Sequence, residues 1–333
     1  MVHASDALGR RTSTIALLSP GALCVAAQRG DAISVWSRAG VRLARLSSTT
    51  PLRFAFVCGA LLGVFNGRLA VRRGPAYRRN IPLRLPRRGG PVLTTALCAS
   101  GRIAAALYAA DGGASDATAV SFFDARRGRQ RGRVVWQRGR IFGARFSRDG
   151  HRVAIFGDVA RRRARVDVYA LEGMKPRHLF RWESALDKTA FSAALSPDGR
   201  RLIIGAGRRL VLLAVPQKRV LATRATGAVL SLFPSRLRRL VSRFPGAHQL
   251  VFSADGESVA VLHAFGVNGV ALWRVETLTP KAWLPRPASR GIPRQLAFDA
   301  ADHLWLVSAG GPGPVEIFVA RQGHFVRAGA LRF

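Results

Sequence analysis

Residues 191–215 read Phe191-Ser-Ala-Ala-Leu-Ser-Pro-Asp-Gly-Arg-Arg-Leu-Ile-Ile-Gly-Ala-Gly-Arg-Arg-Leu-Val-Leu-Leu-Ala-Val215, which predicts three short strands and two tight turns. Ser196-Pro-Asp-Gly199 has the composition of a turn. Proline presets φ at the second position, aspartate accepts local backbone N–H bonds, and glycine takes a positive φ. Gly205-Ala-Gly207 predicts the second reversal. The strand residues are apolar and β-branched, which is typical of strands that are covered on both faces.

The same unit recurs along the chain. Clear copies begin at Phe146-Ser-Arg-Asp-Gly150, Phe252-Ser-Ala-Asp-Gly256 and Phe298-Asp-Ala-Ala-Asp302, and looser copies begin at Leu18-Ser-Pro-Gly21, Phe56-Val-Cys-Gly59 and Leu97-Cys-Ala-Ser-Gly101. A period of roughly 40–50 residues matches a β-propeller, with four strands in each blade. We therefore predict an all-β, seven-bladed β-propeller, because a ring of blades covers their faces and removes most free edges.

The repeat divides the chain into an N-terminal extension, residues 1–11, and one propeller domain, residues 12–333. The predicted blades are residues 12–48, 52–86, 91–137, 140–184, 189–224, 248–287 and 292–333. A short insertion near 228–246 has no place in the repeat, and its residues 235–243 predict one or two helical turns. Two interpretations stay open: an insertion packed on blade six, or a basic helix laid along a phosphate backbone or an acidic groove.

The net charge is the most unusual feature of the composition. The chain has 53 Lys and Arg residues against 18 Asp and Glu, a net charge of +35, and only four of the 53 are lysines. Self-repulsion at this charge opposes a compact free monomer. Arginine is the better residue for bidentate contact with phosphate and for stacking on bases. The composition therefore predicts a polyanionic partner, RNA, bound mainly through its phosphates.

The densest arginine groups lie in blades two to four, in loop-like surroundings, and are the predicted RNA-binding residues. They are Arg72, Arg73, Arg78, Arg79, Arg87, Arg88, Arg126, Arg127, Arg129, Arg131, Arg161, Arg162, Arg163 and Arg165. A second candidate patch lies in the insertion and consists of Arg236, Arg238, Arg239 and Arg243. Because c–d and b–c loops lie on opposite faces of a propeller, we expect the group 126–131 to share a face with 72–79, opposite to 161–165.

Catalytic and metal sites need clustered carboxylates and histidines. The seven histidines are scattered singly, and Asp149, Asp198 and Asp255 belong to the repeated turns. Cys24, Cys58 and Cys98 lack a CxxC spacing and are predicted to be buried free thiols. We therefore predict no catalytic residues, no metal, no cofactor and no small-molecule substrate. No apolar run is long enough for a transmembrane helix, so no membrane insertion is predicted.

The pattern resembles WD-repeat propellers across nearly the whole chain. The matching features are the turns at 146–150, 195–199 and 252–256, and c strands that end in an aromatic residue: Trp36, Phe123, Tyr169 and Trp273. Trp36 and Trp273 are expected to be buried. No c strand ends in Trp-Asp, so the family's structural hydrogen-bond network is mostly absent. The family consists mainly of interaction platforms, so the resemblance implies binding and not catalysis.

These observations lead to three hypotheses of function. The first is a non-catalytic RNA- and protein-binding propeller in a large ribonucleoprotein, specifically a mitochondrial ribosome, whose rRNA phosphates the arginine loops would contact. In kind it resembles the lineage-specific propeller proteins that mitochondrial ribosomes recruit, and it implies a location in the mitochondrial matrix. The second is a protein-interaction scaffold in a nucleolar or other multiprotein assembly, in the nucleolus or cytoplasm. The third is a propeller hydrolase.

Overall fold

The computed structural model describes 21 parts of the chain. They are residues 15–18, 24–29, 32–37, 41–47, 55–57, 60–65, 68–74, 77–86, 90–110, 117–137, 139–159, 163–172, 175–184, 190–232, 246–263, 269–285, 292–299, 301, 303–309, 315–321 and 324–331. These described parts contain 28 strands, β1–β28, and one 3-10 helix.

Each blade consists of four consecutive strands, a to d. Blade one is β1 (Ile15–Leu18), β2 (Cys24–Arg29), β3 (Ala32–Ser37) and β4 (Arg42–Ser47), and blade two is β5 (Ala55–Val57), β6 (Ala60–Phe65), β7 (Arg68–Arg73) and β8 (Arg79–Pro82). Blade three is β9 (Val92–Leu97), β10 (Ile103–Ala109), β11 (Thr118–Asp124) and β12 (Gln130–Trp136), and blade four is β13 (Gly139–Phe146), β14 (Arg152–Val159), β15 (Arg163–Ala170) and β16 (Arg177–Glu183). Blade five is β17 (Ala190–Leu195), β18 (Arg201–Ala206), β19 (Arg209–Ala214) and β20 (Arg219–Ala225). Blade six is β21 (Ala247–Phe252), β22 (Ser258–His263), β23 (Gly269–Arg274) and β24 (Thr279–Pro285), and blade seven is β25 (Ile292–Phe298), β26 (Leu304–Ala309), β27 (Val315–Arg321) and β28 (His324–Leu331).

The seven sheets are antiparallel and form a closed ring, so the predicted seven-bladed all-β propeller is confirmed. The first strand of each blade contacts the first strand of the next, and β1 lies against β25 and β26, which closes the ring between blades one and seven. Blade seven is complete with its own β28, so the described strands close the ring without exchanging one between blades. A single parallel bridge, Trp283 to His324, also joins the outer strands of blades six and seven.

The repeated turn between strands a and b has the predicted chemistry. In blade five the Ser196 hydroxyl donates to the Asp198 carboxylate over 2.5 Å and accepts the Arg201 N–H over 2.9 Å. The Asp198 carboxylate also accepts the Arg200 N–H over 3.0 Å. Gly199 has a φ of +67°. The turns of blades four and six repeat the serine, aspartate and glycine arrangement, which explains why this tetrapeptide marks the blades.

The turns between strands c and d lie beside these a–b turns on one face of the ring, which we call the turn face. In four blades the first N–H after strand c donates to the carbonyl of the residue that follows the a–b turn. These bonds are Ala125 to Arg102, Leu171 to His151, Val215 to Arg200 and Val275 to Glu257, each 2.8 Å long. The two sets of turns are therefore fixed to each other by the backbone.

The second turn of blade five lies one or two residues later in the chain than the sequence predicts. Gly205 and Ala206 remain in β18, and the chain reverses at Gly207, with a φ of +57°, and Arg208. Gly205 serves packing instead, because a Cβ there would lie 2.6 Å from the Cβ of Ala247 in blade six. The glycine-rich spacing therefore reflects a turn and a close approach between blades.

Most of the core lies between neighbouring blades. One cluster joins β14 and β15 of blade four to β17–β19 of blade five, and another joins blade five to blade six. Trp273 is fully buried, as expected, whereas Trp36 is only half-buried, which corrects the expectation for that residue. Cys98 is a buried free thiol, whereas Cys58 and the side chain of Cys24 lie outside the described residues.

The insertion begins with the 3-10 helix, Thr226–Leu232. This helix packs against β24, and its Val229 is fully buried in the cluster that contains Trp273. The start of the insertion is thus packed on blade six. The predicted helical turns at 235–243 lie outside the described residues.

Candidate nucleic-acid interface

Two of the predicted arginine groups meet on the turn face at the junction of blades two and three. Gly128, in the c–d turn of blade three, lies so close to blade two that a Cβ would be 2.5 Å from the Pro82 carbonyl oxygen. Beneath the turn, Phe123 and Ala125 share a buried cluster with Val71 of blade two. This packing places residues 126–131 beside residues 72–79, as the sequence predicts.

Arg73 is at the centre of this junction. Its guanidinium donates to the carbonyl of Gly101 in the a–b turn of blade three. Burial lowers the pKa of Arg73, and the nearby charges of Arg126 and Arg79 lower it further. The charge of Asp124 acts in the opposite direction, and the net pKa is lowered.

The carboxylate at this junction, Asp124, is already engaged by the backbone. One of its oxygens accepts the N–H groups of Arg126 and Arg127, over 2.8 and 3.1 Å. Its other oxygen is 3.8 Å from an Arg131 nitrogen, a contact that solvent screens because that side chain is 37% exposed. Asp124 therefore shapes the c–d turn and offsets little of the surrounding charge.

The surface arginines of this junction, which we call the junction cluster, indicate one exposed basic surface. Its members are Arg73, Arg78, Arg79, Arg102, Arg126, Arg127, Arg129 and Arg131, of which Arg73 and Arg131 are half-buried and the others are exposed. Sequence reasoning missed Arg102. Its place after the a–b turn was a usable signal, since the repeat puts Arg102 on the same face as the c–d turn. Arg72, also predicted, is half-buried in β7.

Blade four carries a second group of cations, and here a carboxylate compensates them. Asp167 in β15 is fully buried. Arg165 binds one of its oxygens through two nitrogens, at 2.6 and 3.0 Å, while Arg181 and His178 approach the other at 2.9 and 3.4 Å. Burial and the Asp167 charge together raise the pKa of Tyr169 to about 12. We call Arg165, His178 and Arg181 around Asp167 the blade-four cluster.

Arg165 also connects blade four to blade three through a side-chain contact. Its guanidinium carbon lies 4.6 Å from the ring centre of Trp136 in β12, a cation–π contact, and its side chain is only 16% exposed. Among the predicted RNA-binding residues, Arg165 is thus occupied within the fold. Its neighbour Arg163 is exposed and donates to the Ser184 carbonyl over 3.1 Å, at the end of the sheet opposite to the turn face.

The remaining predicted arginines and the second patch lie outside the described residues. They are Arg87, Arg88, Arg161 and Arg162, and, in the insertion, Arg236, Arg238, Arg239 and Arg243. Within the described parts of the chain, no three His, Cys, Asp or Glu side chains form a group that could hold a metal ion. None of the described helical residues forms a helix that is long and apolar enough to cross a membrane.

No protein-family model and no curated protein matches this sequence. Among solved structures, the chain is similar to the β-propeller domain of Cps50 (Swd1) from Myceliophteria thermophila. The TM-score is 0.61 and the identity 13%, over 91% of this chain and 95% of that one. At this identity the likeness concerns the fold, which is a β-propeller.

Proposed function

We propose that this propeller is a non-catalytic structural component of a large ribonucleoprotein, in which the junction cluster binds RNA phosphates. The particle we propose is a mitochondrial ribosome, with the protein located in the matrix on rRNA and beside neighbouring ribosomal proteins. The single observation that carries the proposal is the close packing of the c–d turn of blade three on blade two, which brings the arginines of both blades onto one face of the ring. Phosphate contacts position a protein on RNA without reading its sequence.

Three features of the junction support a phosphate partner. The exposed members of the cluster come from three separate segments. A backbone bond joins the c–d turn of blade three to Arg102, and the packing of Gly128 and the Arg73–Gly101 bond hold the segment of blade two beside them, so the charge is preorganised. Guanidinium groups bind phosphate oxygens bidentately. Asp124, the carboxylate of this surface, is directed into its own turn and leaves the guanidinium groups available.

The test is the sedimentation of the native protein with and without ribonuclease. We expect it to sediment with a large particle and to leave that particle when RNA is digested. A protein that stays in the particle after digestion would instead be a scaffold that faces acidic proteins, and a slowly sedimenting free protein would contradict both. Copurification of the particle with isolated mitochondria tests the proposed location.

A further inference from the structure

The outer strand of blade five, β20, is exposed to solvent along almost its whole length. Six of its seven residues are exposed, and Ala222 is half-buried. Because residues alternate between faces, both faces of β20 are open to solvent. Val220 and Leu221 are 49% and 42% exposed. Among the described strands, β20 pairs with β19 alone, so it combines exposed apolar side chains with an edge that no other described strand covers.

Two other outer strands show what β20 lacks. β4 of blade one also carries the exposed Leu43, and the exposed Val41 directly precedes the strand, but Ala44 of β4 is buried. The most covered residue of β20, Ala222, is only half-buried against a core cluster. β24 of blade six packs against the 3-10 helix and is bridged to β28. A partner strand on β20 would cover its edge in the way that β28 covers part of β24.

The hydrogen-bond register shows which groups of β20 face outward. Thr226 donates its N–H to the Arg208 carbonyl over 2.8 Å, just beyond the Ala225–Arg209 pair. Antiparallel pairs alternate between bonded and non-bonded. Arg224 and Ala222 therefore bond to β19, while the N–H and C=O groups of Thr223 and Ala225 point to the open edge.

The charge of blade five indicates the chemistry of a partner. Residues 190–232 contain seven Lys and Arg residues and one carboxylate, Asp198, a difference of +6. Asp198 lies in the a–b turn and is engaged there, so β19 and β20 carry no acidic residue. The chain's own residues 233–245 are a poor match for this strand, because they contain four arginines and no carboxylate.

We propose that β20 is a docking edge for an extended, acidic segment of a partner protein, which adds a strand to blade five. The main-chain groups of Thr223 and Ala225 would pair with the segment, Arg219 and Arg224 would face its carboxylates, and Val220 and Leu221 would contact its apolar side chains. This surface belongs to a different blade from the junction cluster and does not depend on RNA binding.

The probe is a fluorescent peptide of alternating Glu and Val, about eight residues long, titrated onto the full chain by fluorescence anisotropy. We expect saturable binding, and at least about tenfold weaker binding to Thr223→Pro, because proline removes one outward N–H and is tolerated on strand edges. The double variant Val220→Ser/Leu221→Ser should also weaken binding. Its matched control, Val41→Ser/Leu43→Ser directly before β4 and at its start, should not.

Charge reversal completes the test and does not rely on the proline variant folding. Arg219→Glu/Arg224→Glu should lose the Glu-Val peptide and gain a Lys-Val peptide. Equal binding of the Glu-Val peptide to wild type and both β20 double variants would overturn the proposal, as would no binding at all. A light-scattering mass that doubles in wild type but not in Thr223→Pro would identify a second copy as the occupant. If the charge-reversed variant loses oligouridylate binding but keeps the Glu-Val peptide, β20 contacts RNA instead.

Discussion

The junction cluster and the blade-four cluster are both rich in arginine, yet the surrounding carboxylates give them opposite roles. In the blade-four cluster, the fully buried Asp167 binds Arg165 and Arg181 directly, and Arg165 is covered by Trp136. In the junction cluster, one oxygen of the half-buried Asp124 accepts backbone N–H groups, and the other reaches Arg131 only over 3.8 Å, so most of the positive charge has no such close carboxylate. The number of arginines in a stretch therefore does not identify a nucleic-acid site. What matters is whether a buried carboxylate already neutralises them.

The largest effect that separates the two clusters should come from removing their carboxylates. Asp167→Ala removes the carboxylate that Arg165 binds at 2.6 Å and leaves this half-buried guanidinium with Glu183, which is 3.9 Å away. Removing one partner of a buried pair in this way costs about 3 kcal/mol. Asp124→Ala removes two backbone bonds in an exposed turn and should cost about 1 kcal/mol. Urea unfolding of both variants measures the difference. Equal changes in the free energy of unfolding would mean that the blade-four cluster is not the structural one of the two.

This contrast also shows what the sequence could predict. The Ser-x-Asp-Gly turns and the apolar strands were enough to predict seven blades, because each turn is stabilised by hydrogen bonds among its own residues. The pairing of Arg165 with Asp167 was accessible too, since residues two apart on a strand share a face. The bond from Arg181 to Asp167 and the stacking of Arg165 on Trp136 could not be predicted. They depend on the register between strands and on the packing of two blades. For the same reason the half-buried position of Trp36 could not be foreseen.

The second prediction concerns RNA affinity. Arg126, Arg127, Arg129 and Arg131 changed together to Ser should weaken the binding of a single-stranded RNA about 10- to 100-fold near 100 mM salt, because the variant neutralises fewer phosphates. Arg42, Arg45, Arg200 and Arg274 are exposed on blades one, five and six and make the matched control, with the same reduction of charge. Filter binding or anisotropy measures both. If the control set weakens binding as much, the RNA-binding surface is spread over the whole ring.

The dependence of RNA affinity on salt concentration tests the same surface in a second way. For wild type, the logarithm of the affinity should fall linearly with the logarithm of the salt concentration, and each neutralised phosphate should contribute about 0.7–0.9 to the slope. The variant of residues 126–131 should have a slope that is smaller by about one such contribution for each phosphate that it no longer neutralises. The control set should change the slope less. A flat response of wild type between about 50 and 200 mM would contradict phosphate binding.

A smaller effect is expected from the carboxylate of the repeated turn. Burial alone would raise the pKa of Asp198, but the bonds from Ser196 and the Arg200 N–H outweigh it, and the net pKa is lowered. A carboxyl with a lowered folded pKa adds stability above its unfolded pKa, near 4, and loses that contribution as the pH falls through the folded value. Asp198→Asn should therefore lose less stability than wild type on acidification below about pH 4. Identical acid profiles in urea unfolding would show that the Asp198 carboxylate does not stabilise the turn through its charge.

The smallest expected effect is that of mild acid on RNA binding, and it separates the two clusters without any substitution. The charges of the junction cluster are guanidinium groups. Even Arg73, whose pKa is lowered by burial and by the charges of Arg126 and Arg79, stays protonated at neutral pH. The blade-four cluster also contains a histidine, His178, whose side chain is 42% exposed. RNA affinity should therefore be constant between about pH 5.5 and 8.5 at fixed ionic strength. An affinity that rises several-fold on acidification within this range would show that residues outside the all-arginine junction cluster contribute to RNA binding.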